Sequence, residues 1–265
     1  MSALLDVCRA FKHFRGLAAV AEVSFTVEAG TVHGLIGPNG AGKTTLFNLI
    51  SGLVPLDEGQ IRFDGREIGR LAAHARAGLG IARTFQNIRM FEEMTVLETV
   101  AAGAHARLTA PFLHCLFGLP RARAEERAVA AEARDLLAFV GLGARERERA
   151  GDLSYGDQRR LEIARGLASN PRLLLLDEPA AGMNPHETAD LAHLLRRVKD
   201  RGVTLLLVEH DMGFVMDLCE RLTVLNFGRR IADGTPAEVR ADPAVIEAYL
   251  GTKAAARLAA REAGR

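Results

Sequence analysis

The sequence predicts an α/β fold with a largely parallel sheet and a mostly helical insert in the middle of the chain. Two continuous apolar runs, 172–177 (RLLLLD) and 203–208 (VTLLLV), are typical of strands buried on both faces of a parallel sheet. A glycine-rich loop at 37–45 lies between an apolar strand and an apolar helix. Between about 87 and 170, apolar residues recur at helical spacing, which indicates the insert.

The remaining elements follow from local patterns. Short apolar runs bounded by turn residues predict strands, and the Asp64-Gly65 pair indicates a small hairpin. Thr235 is a predicted N-cap with Pro236 in the first helical position. In chain order we predict strands at 4–11, 22–27, 31–36, 60–63, 79–85, 172–177, 203–208 and 222–226, and helices at 46–50, 95–106, 122–140, 155–167, 185–200, 211–219 and from Pro236.

The glycine-rich loop fits the pattern G-x-x-x-x-G-K-[ST] in a strand–loop–helix context, which predicts a phosphate-binding loop. Glycines let backbone N–H groups turn inward around phosphates, and the helix N-terminus adds partial positive charge. Lys43 is expected to reach the β- and γ-phosphates of a nucleoside triphosphate, and the Thr44 hydroxyl to ligate Mg²⁺. The predicted ligands in the loop are Gly37, Pro38, Asn39, Gly40, Ala41, Gly42, Lys43, Thr44 and Thr45.

A pair of carboxylates ends the apolar run 172–177. Asp177 and Glu178 fall at the carboxyl end of a predicted buried strand, the end that faces the ligand crevice in doubly wound sheets. Asp177 is expected to bind Mg²⁺, directly or through water, and Glu178 to polarise the attacking water. Together with the loop, this pair predicts hydrolysis of the bound triphosphate.

Composition excludes several other classes. A net charge of +1 gives no reason to expect nucleic-acid binding. Cys8, Cys115 and Cys219 are widely spaced without a C-x-x-C pair, which favours a reducing compartment over a disulfide framework or zinc site. We find no signal-peptide pattern and no run of eighteen apolar residues. We therefore expect a cytoplasmic protein with no membrane span.

These motifs occur in the order found in ATP-binding-cassette (ABC) ATPases, and the chain resembles that family over essentially its whole length. The diagnostic segment is 153–158 (LSYGDQ), with Gln86 and His210 in their expected places. The resemblance implies a P-loop NTPase (RecA-like) core with an antiparallel β subdomain and an inserted helical subdomain, using ATP and Mg²⁺. It implies one nucleotide-binding domain at 1–252, with the core in 1–86 and 171–252, the signature subdomain in 87–170, and a tail at 253–265.

The resemblance also assigns roles. Ser154, Gly156 and Asp157 would contact the ATP held by a partner subunit. Gln86 would sense Mg²⁺ as a metal ligand, and His210 would hydrogen-bond the γ-phosphate. The implied catalytic residues are Glu178, His210 and Lys43; the implied metal ligands are Thr44, Gln86 and Asp177; and Phe14, with Phe11 as a nearby competitor, would stack on the adenine.

Four positions depart from the family pattern. Tyr155 and Asp157 replace Gly and Gln of many members, and Ala181 and Asn184 replace Ser and Asp. The first two changes leave the hydroxyl and backbone groups of the signature in place. The second two fall in a loop that crosses the dimer interface in the family. The resemblance therefore implies that coupling between the two ATP sites differs from that of members with Ser and Asp. We expect a competent ATPase.

Within the family, 82–87 (ARTFQN), 209–212 (EHDM) and 245–251 (VIEAYLG) look like one ATPase subunit of branched-chain amino-acid importers. That implies integral-membrane permease subunits, whose coupling helix docks partly on 87–94, and a second ABC ATPase subunit, as a homodimer or a paralogous heterodimer. It also implies an external solute-binding protein and a peripheral location on the cytoplasmic face of the bacterial inner membrane. Alternatives are a urea or short-amide importer, a lipopolysaccharide-type exporter, or a soluble ABC ATPase acting on ribosomes or DNA. The apolar segment 108–120 is either a core-packed loop or a partner surface.

Overall fold

The computed structural model describes residues 3–84, 92–107 and 120–250. Strands and helices alternate along most of this length, which confirms the α/β class. In chain order the elements are β1 (Ala3–Phe14), β2 (Leu17–Glu28), β3 (Val32–Ile36), α1 (Lys43–Ser51), β4 (Glu58–Phe63), β5 (Arg66–Glu67), α2 (Ala73–Gly78), β6 (Ile81–Arg83), α3 (Val96–Gly103), α4 (Pro120–Val140), α5 (Tyr155–Ala168), β7 (Leu173–Asp177), α6 (Pro185–Asp200), β8 (Thr204–Val208), α7 (Met212–Leu218), β9 (Arg221–Asn226), β10 (Arg229–Gly234), α8 (Pro236–Ala241) and α9 (Pro243–Leu250).

A six-stranded sheet in the order β10-β9-β3-β8-β7-β6 forms the centre of the fold. The five strands from β9 to β6 are parallel to their neighbours, and β10 is antiparallel to β9. The carboxyl ends of β3 and β7 carry the glycine-rich loop and the Asp177-Glu178 pair. The parallel pairing therefore brings both predicted motifs to one edge of the sheet.

Side chains of the central strands alternate between two hydrophobic cores. Leu174 and Leu176 point into a core shared with the helices of the insert. Leu173 and Leu175 point to the opposite face, into a core shared with α1 and with a second sheet. All four are fully buried, so the continuous apolar run follows from burial on both faces.

The second sheet is antiparallel, with the order β2-β1-β4-β5. Helix α1 is packed between the two sheets, where Leu46, Phe47, Leu49 and Ile50 have no exposed surface. Its carboxyl end is held by the buried side chain of Arg76, which donates hydrogen bonds to the carbonyl oxygens of Leu49 and Ile50, and of Gly69 and Leu71. The position of α1 is thus set by its carboxyl end and by the two sheets on either side of it.

The helical part packs on the other face of the central sheet. Helices α3, α4 and α5 contact one another, with Val100, Leu137 and Leu161 buried among them. Phe139 of α4 lies under the guanidinium groups of Arg197 and Arg201 at 4.4 and 3.6 Å. These contacts attach the helical layer to α6 and its carboxyl end. Among the residues that the structure describes, no helix is long and apolar enough to cross a bilayer.

Four elements differ from the expectations. Strand β6 spans only Ile81–Arg83, because Leu79 and Gly80 form the turn after α2, with Gly80 at a φ of +97°. Helix α2, strand β10 and helix α9 were not predicted, since each is short and gains its stability from tertiary contacts rather than from a periodic pattern. Residues 233–234 end β10, and the predicted Thr235 cap and helix start at Pro236 are confirmed.

Candidate functional site

The glycine-rich loop begins where β3 ends and closes on the first turn of α1. Gly37 has a φ of +148° and Gly42 a φ of +100°, both in the region that favours glycine. A Cβ on Gly42 would lie 2.4 Å from the carbonyl oxygen of Ala19, and one on Gly37 would lie 2.1 Å from that of Leu225. Neither position therefore accepts a side chain while neighbouring backbone stays in place.

Helix α1 starts without a side-chain cap, because Gly42 is its N-cap residue. Its first N–H groups are consequently available to an anion, and the helix dipole adds to the attraction. Lys43 lies across its own loop, with Nζ donating to the carbonyl oxygens of Gly37 at 2.6 Å and Pro38 at 3.0 Å. Burial lowers the pKa of the Lys43 ammonium, and the nearby Glu178 carboxylate opposes that effect.

A cavity of about 410 Å³ opens above the loop. Its volume is within the usual range for a small-molecule site. One wall is the loop and the start of α1, another comes from β2, and a third from the β9–β10 turn. The cavity is lined by Leu17, Ala18, Ala19, Asn39, Gly40, Ala41, Gly42, Lys43, Thr44, Thr45, Glu178, Phe227 and Gly228.

Asp177 ends β7 and is almost fully buried. Its Oδ2 accepts a hydrogen bond from the Arg83 guanidinium at 2.7 Å, and both side chains are less than a tenth exposed. A buried carboxylate needs such a partner, because an uncompensated charge is costly away from water. Asp177 thus presents a carboxylate held in a fixed position, next in the chain to Glu178, which lines the cavity.

Glu178 reaches into that cavity from an unusual backbone. Its φ is +47°, in the left-handed region, which costs a residue with a Cβ about 1 kcal/mol. Its N–H donates to the carbonyl oxygen of Val208 at 2.9 Å, which anchors the turn to β8. The strained turn aims the carboxylate at the loop, where it lies near Lys43.

His210 follows β8 on the same edge of the sheet. Its Nδ1 lies 4.0 Å from Glu178 Oε1 and 3.7 Å from Glu209 Oε2, and its side chain is 61% exposed. Glu209 is buried and accepts hydrogen bonds from the N–H groups of Ala180 and His210. Glu209 therefore ties the segment that carries His210 to the loop after Glu178.

The signature segment lies on a different part of the molecule. Ser154 caps α5: its hydroxyl accepts from the Asp157 N–H at 3.2 Å and donates to Asp157 Oδ2 at 2.9 Å. The Asp157 carboxylate also accepts from Arg145 at 2.8 Å. Gly156 packs close to the Glu187 side chain, which a Cβ would meet at 3.3 Å. Neither Ser154, Gly156 nor Asp157 belongs to the lining of the cavity above the loop.

The aromatic candidates for the base lie at the β1–β2 hairpin. Phe14 is paired with Leu17, which lines the cavity, and its side chain is 47% exposed. Phe11 instead stacks on His13 at a centroid distance of 6.4 Å and is paired with Glu58 of β4. This placement favours Phe14 over Phe11.

The remaining predicted positions are Gln86, the segments 87–94 and 108–120, and Asn184. Gln86 and most of the segment 87–94 lie outside the described residues, as does nearly all of 108–120. Asn184 is the N-cap of α6, accepting from the N–H groups of His186 and Glu187, a role that the aspartate of other members would fill equally.

Several residues of the site were missed by sequence reasoning. Leu17, Phe227 and Gly228 line the cavity. Arg83 holds the Asp177 carboxylate at the end of β7, and Glu209 accepts from the Ala180 N–H in the loop after Glu178. For Arg83 the signal was a charged residue inside an otherwise apolar strand. Phe227 offered none, because its place at the cavity depends on a turn that packs on the loop through Gly228 N–H and the Ala41 carbonyl.

Comparison with known proteins extends these observations. Residues 20–181 match the ABC transporter family, and 229–255 match the family of branched-chain amino acid ATP-binding cassette transporters. The chain is 47% identical over 249 residues to the high-affinity branched-chain amino acid transport ATP-binding protein BraF of Pseudomonas aeruginosa, covering 94% of this chain and 98% of the relative. The corresponding protein LivG of Escherichia coli is 41% identical with the same coverage. The lipopolysaccharide export ATP-binding protein LptB of Acidithiobacillus ferridurans is 37% identical over 95% of this chain and 98% of that relative.

Solved structures agree. A nucleotide-free ATP-binding cassette of an ABC transporter superposes with a TM-score of 0.83 at 34% identity, covering 95% of this chain and all of the other. The ADP conformation of such a cassette gives the same values. This confirms the P-loop NTPase core with its antiparallel and helical additions. The chain therefore belongs to the ATP-hydrolysing, ATP-binding-cassette subunits of ABC transporters, within the group of the branched-chain amino-acid transport ATP-binding proteins.

Proposed function

We propose that this chain is the ATP-hydrolysing subunit of an importer for branched-chain amino acids, bound to the cytoplasmic face of the bacterial inner membrane. The observation that carries the catalytic part is the meeting of the glycine-rich loop and Glu178 in one cavity. The substrate class is supported by the two relatives named for branched-chain amino-acid transport, which are more similar than the lipopolysaccharide export relative.

ATP binds with its phosphates at the start of α1. The N–H groups of Gly40 to Thr45 supply donors, and Lys43 exchanges its two loop carbonyls for phosphate oxygens, which are stronger partners for an ammonium group. Leu17 to Ala19 form an apolar wall for the ribose and base, with Phe14 stacking on the adenine. Pro38 and Asn39 shape the outer turn of the loop.

The oxygen donors of the site suit Mg²⁺. That ion usually takes one or two protein ligands together with substrate phosphates, and here a hydroxyl and a buried carboxylate are present. Thr44 and Asp177 would hold it, with Gln86 as a third proposed ligand. When bound, Mg²⁺ neutralises charge on the β- and γ-phosphates.

Glu178 acts as the general base. Its carboxylate accepts a proton from a water molecule as the water oxygen bonds to the γ-phosphorus and the bond to the β–γ bridging oxygen breaks. ADP and phosphate leave. His210, within 4.0 Å of Glu178 Oε1, donates a hydrogen bond to the γ-phosphate and holds the same carboxylate in place.

A second ATPase subunit completes the site. Ser154, Gly156 and Asp157 lie away from this chain's own cavity, at the start of a helix whose N–H groups and dipole attract phosphate. In a dimer, these groups would cover the ATP of the partner, which is either a second copy or a paralogous chain. ATP binding then stabilises the closed dimer, and hydrolysis releases it.

The membrane partner would dock beside the helical layer. A cavity of about 350 Å³ lies between α1, α2 and β6 on one side and α3 and α5 on the other. Its lining residues Arg83 and Ala102 lie before and after the segment 87–94 in the sequence. We propose this cavity as the place where a short helix of a permease subunit docks. An external solute-binding protein would deliver the amino acid to that permease; the solute itself does not touch this chain.

Replacing Glu178 by glutamine tests the catalytic proposal. Glu178→Gln should lower the rate of ATP hydrolysis by at least about a hundredfold while retaining ATP binding, because only the proton acceptor is lost. Glu220→Gln, at an exposed carboxylate that directly precedes β9 and pairs with Lys199, is the matched control. Normal turnover by Glu178→Gln would show that another group is the base.

The transport proposal is tested in membrane vesicles. The chain is co-expressed with its permease and partner ATPase, and ATP-driven uptake of leucine, urea and a short amide is compared. Leucine uptake that is lost with Glu178→Gln supports the proposal. Uptake of urea or amide alone, or association with a lipopolysaccharide exporter instead, would identify one of the alternatives.

A further inference from the structure

Arg83 is a buried cation at the last position of β6, between the nucleotide site and the helical layer. Its side chain is 8% exposed. The guanidinium NH1 group donates to Asn48 Oδ1 at 2.7 Å and to Ser51 Oγ at 2.9 Å, while NH2 donates to Asp177 Oδ2 at 2.7 Å. The group also lies 5.6 Å from the centre of the Phe47 ring.

These partners belong to the two elements that carry the proposed metal ligands. Thr44, Asn48 and Ser51 are spaced by four and three residues in α1, so they share one face of the helix. Asp177 ends β7. The planar fork of Arg83 therefore links the helix that carries Thr44 to the strand that carries Asp177.

Arg83 also lines the cavity between the sheet and the helical layer. Glu162 and Arg165 of α5 and Gly103 of α3 lie on the opposite wall of that cavity. A displacement of the helical layer or of β6 would thus act on Arg83, and through it on the Asp177 carboxylate.

We propose that Arg83 is a positioning residue that sets the geometry of the Mg²⁺ ligands. It holds Asp177 at a fixed place relative to Thr44 and connects both to the cavity beside the helical layer. A carboxylate has two oxygens and about four lone-pair sites, so the bond from Arg83 is compatible with a metal or metal-bound water on the same group. This inference rests on the proposed ATP site and adds a residue that does not touch the nucleotide.

The test measures metal dependence of ligand binding rather than turnover. ATP-induced thermal stabilisation of the full chain is followed as Mg²⁺ is titrated, and also in EDTA. Arg83→Met should raise the Mg²⁺ concentration for half-maximal stabilisation by about tenfold, the usual effect of losing a partner of a metal ligand. ATP-induced stabilisation in EDTA should stay within about twofold of wild type, because the loop itself is unchanged.

Two further variants make the result specific. Arg83→Lys keeps the charge but not the fork, and we expect a shift in the same direction, of about threefold or more. In the Asp177→Asn background, Arg83→Met should give no additional shift. The control is Arg172→Met, which removes an exposed arginine that likewise pairs with an aspartate, Asp64, and lies over a phenylalanine ring.

Each outcome decides the matter. An unchanged Mg²⁺ dependence in folded Arg83→Met overturns the inference while leaving the ATP site intact. If Arg83→Met does not fold, an unchanged dependence in Arg83→Lys overturns it instead. If wild type itself shows no ATP-induced stabilisation, the proposed function fails, and the inference fails with it.

Discussion

Replacing His33 by glutamine probes a buried titratable group in β3, the strand that leads to the glycine-rich loop. His33 Nε2 lies 2.9 Å from Thr223 Oγ1, and the Thr223 hydroxyl donates to Asp233 Oδ2 at 2.8 Å. The hydroxyl therefore accepts from Nε2–H, which places the proton of the neutral ring on Nε2. Burial lowers the pKa of His33 from 6.5 to about 4, with Asp233 opposing this and Arg221 adding to it.

The sign of the pH dependence follows from that depressed pKa. As the pH falls below about 6.5, His33 takes up a proton in the unfolded chain but stays neutral in the folded chain. The free energy of unfolding therefore decreases. The contribution is complete above pH 6.5 and is lost as the pH falls to about 4. At 1.36 kcal/mol per pKa unit, the full difference is about 3 kcal/mol, of which about 2 kcal/mol is lost at pH 5.

Urea unfolding at pH 7.5 and pH 5 measures the effect. Wild type should lose about 2 kcal/mol more between the two pH values than His33→Gln, which keeps a hydrogen-bonding side chain but does not titrate. His193→Gln, at an exposed position of α6, should behave like wild type. Equal losses in wild type and His33→Gln would refute the assignment of a neutral buried histidine.

Further predictions concern the glycine-rich loop, helix α1 and the N-cap of α6. Gly42→Ala should abolish binding of a fluorescent ATP analogue, because its Cβ would lie 2.4 Å from the Ala19 carbonyl oxygen. Gly40→Ala has open space around its Cβ and should bind the analogue more tightly than Gly42→Ala. Equal binding by the two variants would contradict this. Arg76→Met should lower the free energy of unfolding by about 3 kcal/mol, since it leaves buried carbonyls at the end of α1 without a donor; a loss below about 0.5 kcal/mol in denaturant titration would argue otherwise. Asn184→Ala should cost about 1 kcal/mol in the same assay and Asn184→Asp almost nothing, because only the alanine lacks a capping oxygen; similar losses would disprove the capping role.

The elements that sequence patterns predicted well are those with a strong local signal. The helix at 185–200 was predicted with the observed bounds, because Asn184 caps it, Pro185 begins it and a regular apolar stripe runs along it. The buried strands 173–177 and 204–208 were found from their continuous apolar runs. Strand β10 carried no such signal: arginines and an aspartate dominate it, and its pairing with β9 makes it a strand.

The residues of the candidate site likewise fall into those that a local motif identified and those that only the fold brought together. The pattern of the loop, the acidic pair and the signature segment identified the nucleotide chemistry, and the fold then brought Glu178 to the loop across more than a hundred residues of chain. The role of Gln86 stays a prediction. The contribution of Ser154 and Gly156 to a partner's ATP also stays a prediction, supported by their absence from the lining of this chain's own cavity.

By itself, the sequence determined which chemistry this protein carries, because phosphate binding depends on contiguous residues whose spacing sets the backbone of one loop and one helix start. Only the tertiary structure decided which distant groups complete it. The link from Arg83 to Asp177 spans 94 positions, and the close approach of Gly42 to Ala19 depends on how β2 packs over the loop. Such contacts leave no local pattern, because they arise from the packing of whole elements. The same packing keeps the signature segment out of the lining of this chain's own cavity, which is why we propose that a second subunit completes the site.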